Sequence, residues 1–323
     1  MTTHLPTVES EGLAFHELHR RGRHGVLVGL GGVLALLGTV FLVVPNLVAV
    51  VTLVGLAIGG SEDPAARLRE ITDLDAVTPG VLTYLLVVLG LAVPVSLGAQ
   101  RVVTGLRPGW LSSVAGRLRW GWLLWCFLPA AAGLVVALVL GSLLPVSGTG
   151  GDVELNDWSS TVRDFLLVTV LLTPLQAAGE EYVFRGFLTQ VAGAVVPPGR
   201  AALVAAVLVP ATLFALFHGA QSVPVFVDRF SFGVAAGVLT ILTGGLEAAI
   251  AAHVLNNWVA FGLAAVAGDM TETLQPSGGG WADVVVSLAR MLVFVGLTLA
   301  LARHRGIRTR TTGGVLAAGE RRV

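Results

Sequence analysis

The sequence predicts an all-α fold, a polytopic transmembrane helix bundle of about eight spans with a candidate catalytic core in spans four to seven. Three observations carry that expectation. Of the 323 residues 54% are hydrophobic and only 12% charged, with a mean hydropathy of +0.83, against roughly 25% charged residues in a soluble domain. The apolar residues fall in long runs, most of them near the ~20 residues that cross a bilayer as a helix, parted by short polar stretches. Charges deep inside those runs are few, and Glu180, Glu181, Arg185 and Arg290 stand out among them.

Composition also excludes. The single cysteine, Cys126, rules out an intramolecular disulfide and a cysteine-based metal site. All twenty basic residues are Arg, net charge is zero, and no basic domain calls for nucleic acid. The first apolar run begins only after a 24-residue polar segment and continues too long for a signal peptide, so residues 1–24 are expected to stay on as a cytoplasmic N-terminal tail.

Residues 25–158 hold three accessory spans. Val26 to Gly60 is apolar for about 35 residues, near 50 Å as a straight helix against a ~30 Å hydrocarbon core. Pro45-Asn46 could break it, but the piece beyond is too short to span, so one long helix is expected in place of a hairpin. A polar loop from Ser61 to Thr78 leads to Pro79-Gly80, which opens span two to about Ala99. Span three runs from Trp120 to Leu144. Trp110, Trp120, Trp122 and Trp125 read as an interfacial belt. An acidic, Gly-rich loop, Pro145 to Trp158, follows.

Residues 159–268 form the candidate core. Span four starts near Ser159, carries Pro174 as an expected kink, passes Arg185 and stops at Pro197-Pro198-Gly199. Span five is Arg200 to Phe217, span six Val225 to Leu242 and span seven Leu246 to Val266. Gly233 and Gly237 make a GxxxG pair suited to close helix packing. Residues 269–303 supply a loop and the last span, Ala282 to Ala302, and 304–323 a basic tail expected to be poorly ordered. With eight spans both termini share a side. Fourteen arginines fall there, including Arg20, Arg21, Arg23, Arg200 and the six from Arg303 onward, against four on the other side. The positive-inside rule makes that shared side cytoplasmic, in a multi-pass protein of the cell membrane.

The stretch Gly179-Glu180-Glu181-Tyr182-Val183-Phe184-Arg185-Gly186 ends a run, Phe165 to Gly179, that carries no charge. Ionisable residues at membrane depth are costly and mark function by default. Glu181 and Arg185, four apart, share a helix face and can pair, while Glu180 points about 100° away and is left for chemistry. A purely structural clasp between helices accounts for that stretch equally well on its own. Two further polar sites change the weighing: Phe214 with His218 at the end of span five, and His253 with Asn257, four apart on span seven. Glu180 can take a proton from a water that His218 also holds. His253 and the Asn257 amide can donate to the oxyanion that forms when that water attacks a peptide carbonyl. That is amide hydrolysis without a covalent intermediate, and no serine or cysteine nucleophile is needed.

E-E-x-x-x-R at Glu180, Glu181 and Arg185, F-x-x-x-H at Phe214 and His218, and H-x-x-x-N at His253 and Asn257, in that order on successive hydrophobic segments, resemble the CPBP family of intramembrane proteases. That family includes type II CAAX prenyl endopeptidases and bacterial relatives linked to bacteriocin processing and self-immunity (Abi). The resemblance covers about Phe165 to Phe261. It implies Glu180 as general base, His218 as its partner on the water, His253 and Asn257 as oxyanion stabilisers, and Glu181, Arg185 and Phe214 as structural support. The substrate class implied is a membrane-associated protein or peptide, met at the lipid bilayer. The family has been described both as metal-independent and as metalloprotease. There is no H-E-x-x-H, yet Glu180, His218 and His253 could converge on zinc; a mechanism that requires no cofactor is favoured. A catalytically silent immunity or scaffold protein is the main alternative. A proton-coupled transporter is the lesser one, since no internal repeat marks two halves. Arg290 is either a structural partner or a contact for a substrate carboxylate.

Overall fold

The computed structural model describes residues 12–146, 155–219, 221–275, 278–317 and 319. Every regular element among them is helical, with three isolated β-bridges and no strand. Seven helices are long and apolar enough to cross a membrane: α1 (Val26–Ile58), α3 (Pro79–Thr104), α4 (Trp120–Leu143), α5 (Ser160–Val195), α7 (Val223–Thr243), α8 (Glu247–Ala267) and α10 (Trp281–His304). The apolar helix α6 (Arg200–Leu216) is shorter, at 17 residues. Two small helices, α2 (Pro64–Thr72) and α9 (Met270–Leu274), lie in the connections. The protein is a multi-pass membrane protein.

Its outer surface carries many large apolar side chains. Leu27, Leu34, Leu143, Leu171 and Leu292 are each more than 65% exposed, a pattern that water would penalise and lipid accepts. The first apolar run is a single helix of 33 residues. A π-type turn at Thr39–Val43 immediately precedes Pro45, so the chain passes the missing amide donor without folding back. Beyond Val44 the helix buries no residue.

Both terminal segments are packed onto the helices, and for the C-terminal one this departs from expectation. Residues 12–24 are not a free tail: Phe15–Arg21 forms a 3₁₀ helix whose Phe15 and Leu18 are fully buried. The start of the C-terminal tail is ordered as well. Thr311 donates its amide to Leu13 O at 2.9 Å, the Leu13 amide donates to Thr311 Oγ1 at 2.9 Å, and Ala317 bridges Leu106. Arg305 stacks over Trp125, 3.5 Å from the ring centroid. Backbone pairing between segments some 300 residues apart leaves no trace in local composition. The two terminal segments, bonded to one another, therefore lie together.

The tryptophan belt is split. Trp120 and Trp125 face outward, whereas Trp110 and Trp122 are buried, and Trp110 Nε1 donates to Leu316 O at 3.2 Å. The Gly233 and Gly237 faces of α7 lie on α6: a Cβ on Gly233 would meet Ala211 Cα at 2.9 Å. Most of the acidic loop before α5, residues 147–154, lies outside the described residues, but Asn156 ties its end to α8 through Val266 O and Ala265 O.

Candidate active site

Helix α5 delivers the carboxylates, and a glycine sets its depth. A Cβ on Gly179 would stand 2.0 Å from Leu89 O and 3.3 Å from Ala92 Cβ, so only glycine lets α5 lie directly on the backbone of α3. Directly after Glu181 the helix widens into π-type turns over Tyr182–Leu188. Such turns recur at functional sites because the extra residue re-aims the side chains that follow. Here they carry Arg185 inward until it is fully buried.

Glu181, also fully buried, is the hub. Its Oε1 accepts from Arg185 Nη1 at 3.0 Å and from His253 Nδ1 at 2.7 Å. The Arg185 guanidinium lies over the rings of Phe214, at 4.1 Å, and Phe232, at 5.3 Å. Cation–π contact thus supplements the carboxylate on its other face. Phe214 also stands edge-on to both imidazoles, 4.7 Å from His218 and 6.0 Å from His253 between ring centroids. One aromatic ring sets the spacing of the cation and both histidines.

Glu180 has different company. Its Oε1 accepts from Gln176 Nε2 at 2.8 Å, and Gln176 Oε1 in turn accepts from Asn257 Nδ2 at 3.0 Å. Its Oε2 is buried without a hydrogen-bond partner among the described residues and lies 3.7 Å from His253 Nε2. That separation is too long for a direct hydrogen bond. The carboxylate is therefore anchored by one oxygen and presents the other.

The partners also fix which nitrogens of the histidines are available. His218 Nδ1 is 2.7 Å from Phe214 O. A carbonyl only accepts, so Nδ1 carries the proton and Nε2 of a neutral ring keeps its lone pair. His253 Nδ1 likewise donates to the Glu181 carboxylate. Past His218 the backbone turns at Gly219 (φ 79°), where Ala220 lies outside the described residues, and Gln221 folds back to donate to Ala215 O at 2.6 Å.

Of the residues singled out in the sequence, Glu180, Glu181, Arg185, Phe214, His218, His253 and Asn257 are thus linked through hydrogen bonds, ring contacts or the close approach of Glu180 to His253. Asn257 meets Glu180 only through Gln176, which sequence reading passes over because it carries no charge. A glutamine four residues before a carboxylate, in a run otherwise fit for lipid, is the signal that was available. His253 reaches Glu181 as well as facing Glu180, so Glu181 orients a histidine in addition to balancing Arg185. Arg290 donates to Asn256 Oδ1. Both line a narrow cleft of about 30 Å³ between α4, α7, α8 and α10, otherwise walled by apolar side chains such as Leu134, Phe232 and Met291. Among the described residues no three His, Cys, Asp or Glu side chains are grouped so as to hold a metal ion. Glu180, His218 and His253 do not make such a set as they stand.

Residues 162–259 match the family described as type II CAAX prenyl endopeptidase Rce1-like. The matched segment begins in α5, ends in α8 and contains every residue of the site built above. It agrees with the CPBP resemblance carried by the three motifs. No curated protein and no solved structure matches the chain.

Proposed function

We propose that this protein is an integral-membrane endopeptidase that hydrolyses peptide bonds of membrane-associated proteins or peptides with water activated by Glu180 and His218. The observation that carries the reading is the divided carboxylate pair. Each acid is held through one oxygen and leaves the other unpartnered, but Glu181 is fully buried with its Oε1 shared between Arg185 and His253, while Glu180 is held by the neutral Gln176 amide and turns Oε2 toward His253 Nε2. Two adjacent acids in such different surroundings are the arrangement in which one serves structure and the other proton transfer.

In the proposed reaction Glu180 Oε2 removes a proton from a water held against His218 Nε2, and the water oxygen adds to the scissile carbonyl. The oxyanion is met by the Asn257 amide and, with both ring nitrogens protonated, by His253 Nε2. Collapse breaks the C–N bond, and the proton taken by Glu180 passes to the leaving amine. Side chains alone activate the water in this scheme. In this reading both termini are cytoplasmic in a cell-membrane protein, as the arginine asymmetry of the sequence leads one to expect.

The test is purification of the full chain in detergent and incubation with membrane-tethered peptides, with products identified by mass. Cleavage that survives exhaustive chelation is expected. Cleavage abolished by chelator and restored by stoichiometric zinc would replace the mechanism with metal-bound water. No cleavage across the panel by a folded protein would favour the silent scaffold.

A further inference from the structure

Arg290 lies on α10, outside the three sequence motifs, yet it is joined to Glu180 by an unbroken row of side-chain amides. Its Nη1 donates to Asn256 Oδ1. Asn256 Nδ2 donates to Asn257 Oδ1 at 3.1 Å, Asn257 Nδ2 to Gln176 Oε1 at 3.0 Å, and Gln176 Nε2 to Glu180 Oε1 at 2.8 Å. The direction of the row is set independently at each end. A guanidinium has donors only, so Asn256 must turn its oxygen to Arg290. A carboxylate accepts only, so Gln176 must turn its nitrogen to Glu180. Both demands give the same orientation for all three amides, and flipping any one of them sets donor against donor and acceptor against acceptor.

Aligned amides between a cation and an anion polarise one another, each bond strengthening the next, and do so most where water is scarce. Gln176 is 4% exposed and the Glu180 side chain 13%. Other charges also act on Glu180: Glu181 and Arg185 on its own helix, His253 on α8, His218 past α6 and Arg229 on α7. None of them holds Glu180 Oε1. From this geometry we infer that Arg290 is a positioning residue for the reaction, acting through Asn256, Asn257 and Gln176. It locks the Asn257 amide and the Glu180 carboxylate into one register, so that Oε2 alone faces the site. The row leaves Arg290 itself at the wall of the apolar cleft, with Asp228 of α7 within electrostatic reach.

The inference rests on the proposed proteolytic function, and the experiment separates the two. Steady-state cleavage of one tethered peptide is measured for the wild type, Glu180→Gln, Arg290→Met, Arg290→Lys, Gln176→Leu and the double variant Arg290→Met/Gln176→Leu, each checked for an unchanged melting temperature in detergent. Arg290→Met is expected to lower kcat roughly tenfold with KM unchanged, within the range of couplings carried by such networks. Arg290→Lys should recover part of that loss, since an ammonium still donates to Asn256 Oδ1. The double variant should be no slower than Gln176→Leu alone, because the row is already broken. A raised KM with kcat intact would make Arg290 a substrate contact in the cleft and overturn the inference. So would independent, multiplying losses in the double variant, or an unchanged Arg290→Met. An inactive wild type, or an active Glu180→Gln, would refute the proteolytic reading itself. Should Arg290→Met fail to fold, Asn256→Leu, which breaks the row at the next residue, takes its place with the same expected order of rates against Gln176→Leu and their double variant.

Discussion

Replacing Glu181 with Gln should damage folding far more than replacing Glu180 with Gln, although the two residues are adjacent. Glu181 Oε1 stands 3.0 Å from Arg185 Nη1 with both side chains fully buried. At an effective dielectric near 20, two unit charges at that distance attract by about 5.5 kcal/mol. Removing one partner of a buried pair typically costs ~3 to 5 kcal/mol, because the other charge is stranded. Arg185 keeps its contacts with Phe214 and Phe232. Each such contact stabilises a cation by roughly 0.5 to 2 kcal/mol, which places the expected loss toward the lower end, about 3 kcal/mol. Glu181→Gln also weakens the acceptor that orients His253. Glu180→Gln strands no paired arginine, and its carbonyl can still accept from Gln176, so its cost should be about 1 kcal/mol, the centre of the distribution for single substitutions. Membrane abundance and thermal unfolding in detergent, followed by size-exclusion fluorescence, measure both. Glu181→Gln paired with Arg185→Met should regain stability without regaining cleavage, since apolar replacement of a whole buried pair is often neutral or better. Equal abundance of the two single variants would refute the division of roles between the adjacent acids.

As an oxyanion donor, Asn257→Ala should lose about 10²- to 10³-fold in kcat with its melting temperature little changed; wild-type turnover would remove it from the reaction. Gly179→Ala should destabilise by roughly 1 to 3 kcal/mol, as overpacking does, and lower activity without touching substrate. The new methyl meets Leu89 O at 2.0 Å and must push α5, with Glu180, away from α3. An unperturbed Gly179→Ala protein would show that this contact does not set the depth of α5. The N-terminal segment should loosen in acid. Burial lowers the His19 pKa from 6.5 to about 4, so above pH 6.5 its docking is complete. Between 6.5 and 4 the undocked state binds the proton first, and up to about 3 kcal/mol of docking stability is lost; His16 shifts the same way. Hydrogen exchange of residues 13–21 at pH 7.5 and pH 5 reads this directly, and protection that does not change with pH, or that changes equally in His19→Gln, contradicts it.

The helices were legible because lipid imposes long uncharged runs, and those runs alone place α1, α3 to α8 and α10 to within a few residues. The four-residue spacings were legible for the same reason that helices have faces, and they hold for Glu181 with Arg185. Contacts that depend on register between distant helices were not. Nothing near Arg290 in the sequence points to Asn256, and nothing near Leu13 points to Thr311. Gln176 escaped for a different reason: a neutral amide leaves an apolar run uncharged, although in lipid it needs partners almost as much as a charge does. Trp110 and Trp122 misled because amphipathic rings suit both an interface and a core with a polar group in reach.

Turnover by a folded Glu180→Gln protein is the most direct measure of the proposed chemistry. Glutamine fills the same space, can still accept from Gln176 and cannot take a proton from water. With a melting temperature matching the wild type, kcat should fall by about 10²- to 10⁴-fold, the usual contribution of a general base, in the presence and absence of chelator alike. A Glu180→Gln protein that cleaves the tethered peptide at the wild-type rate would contradict the account.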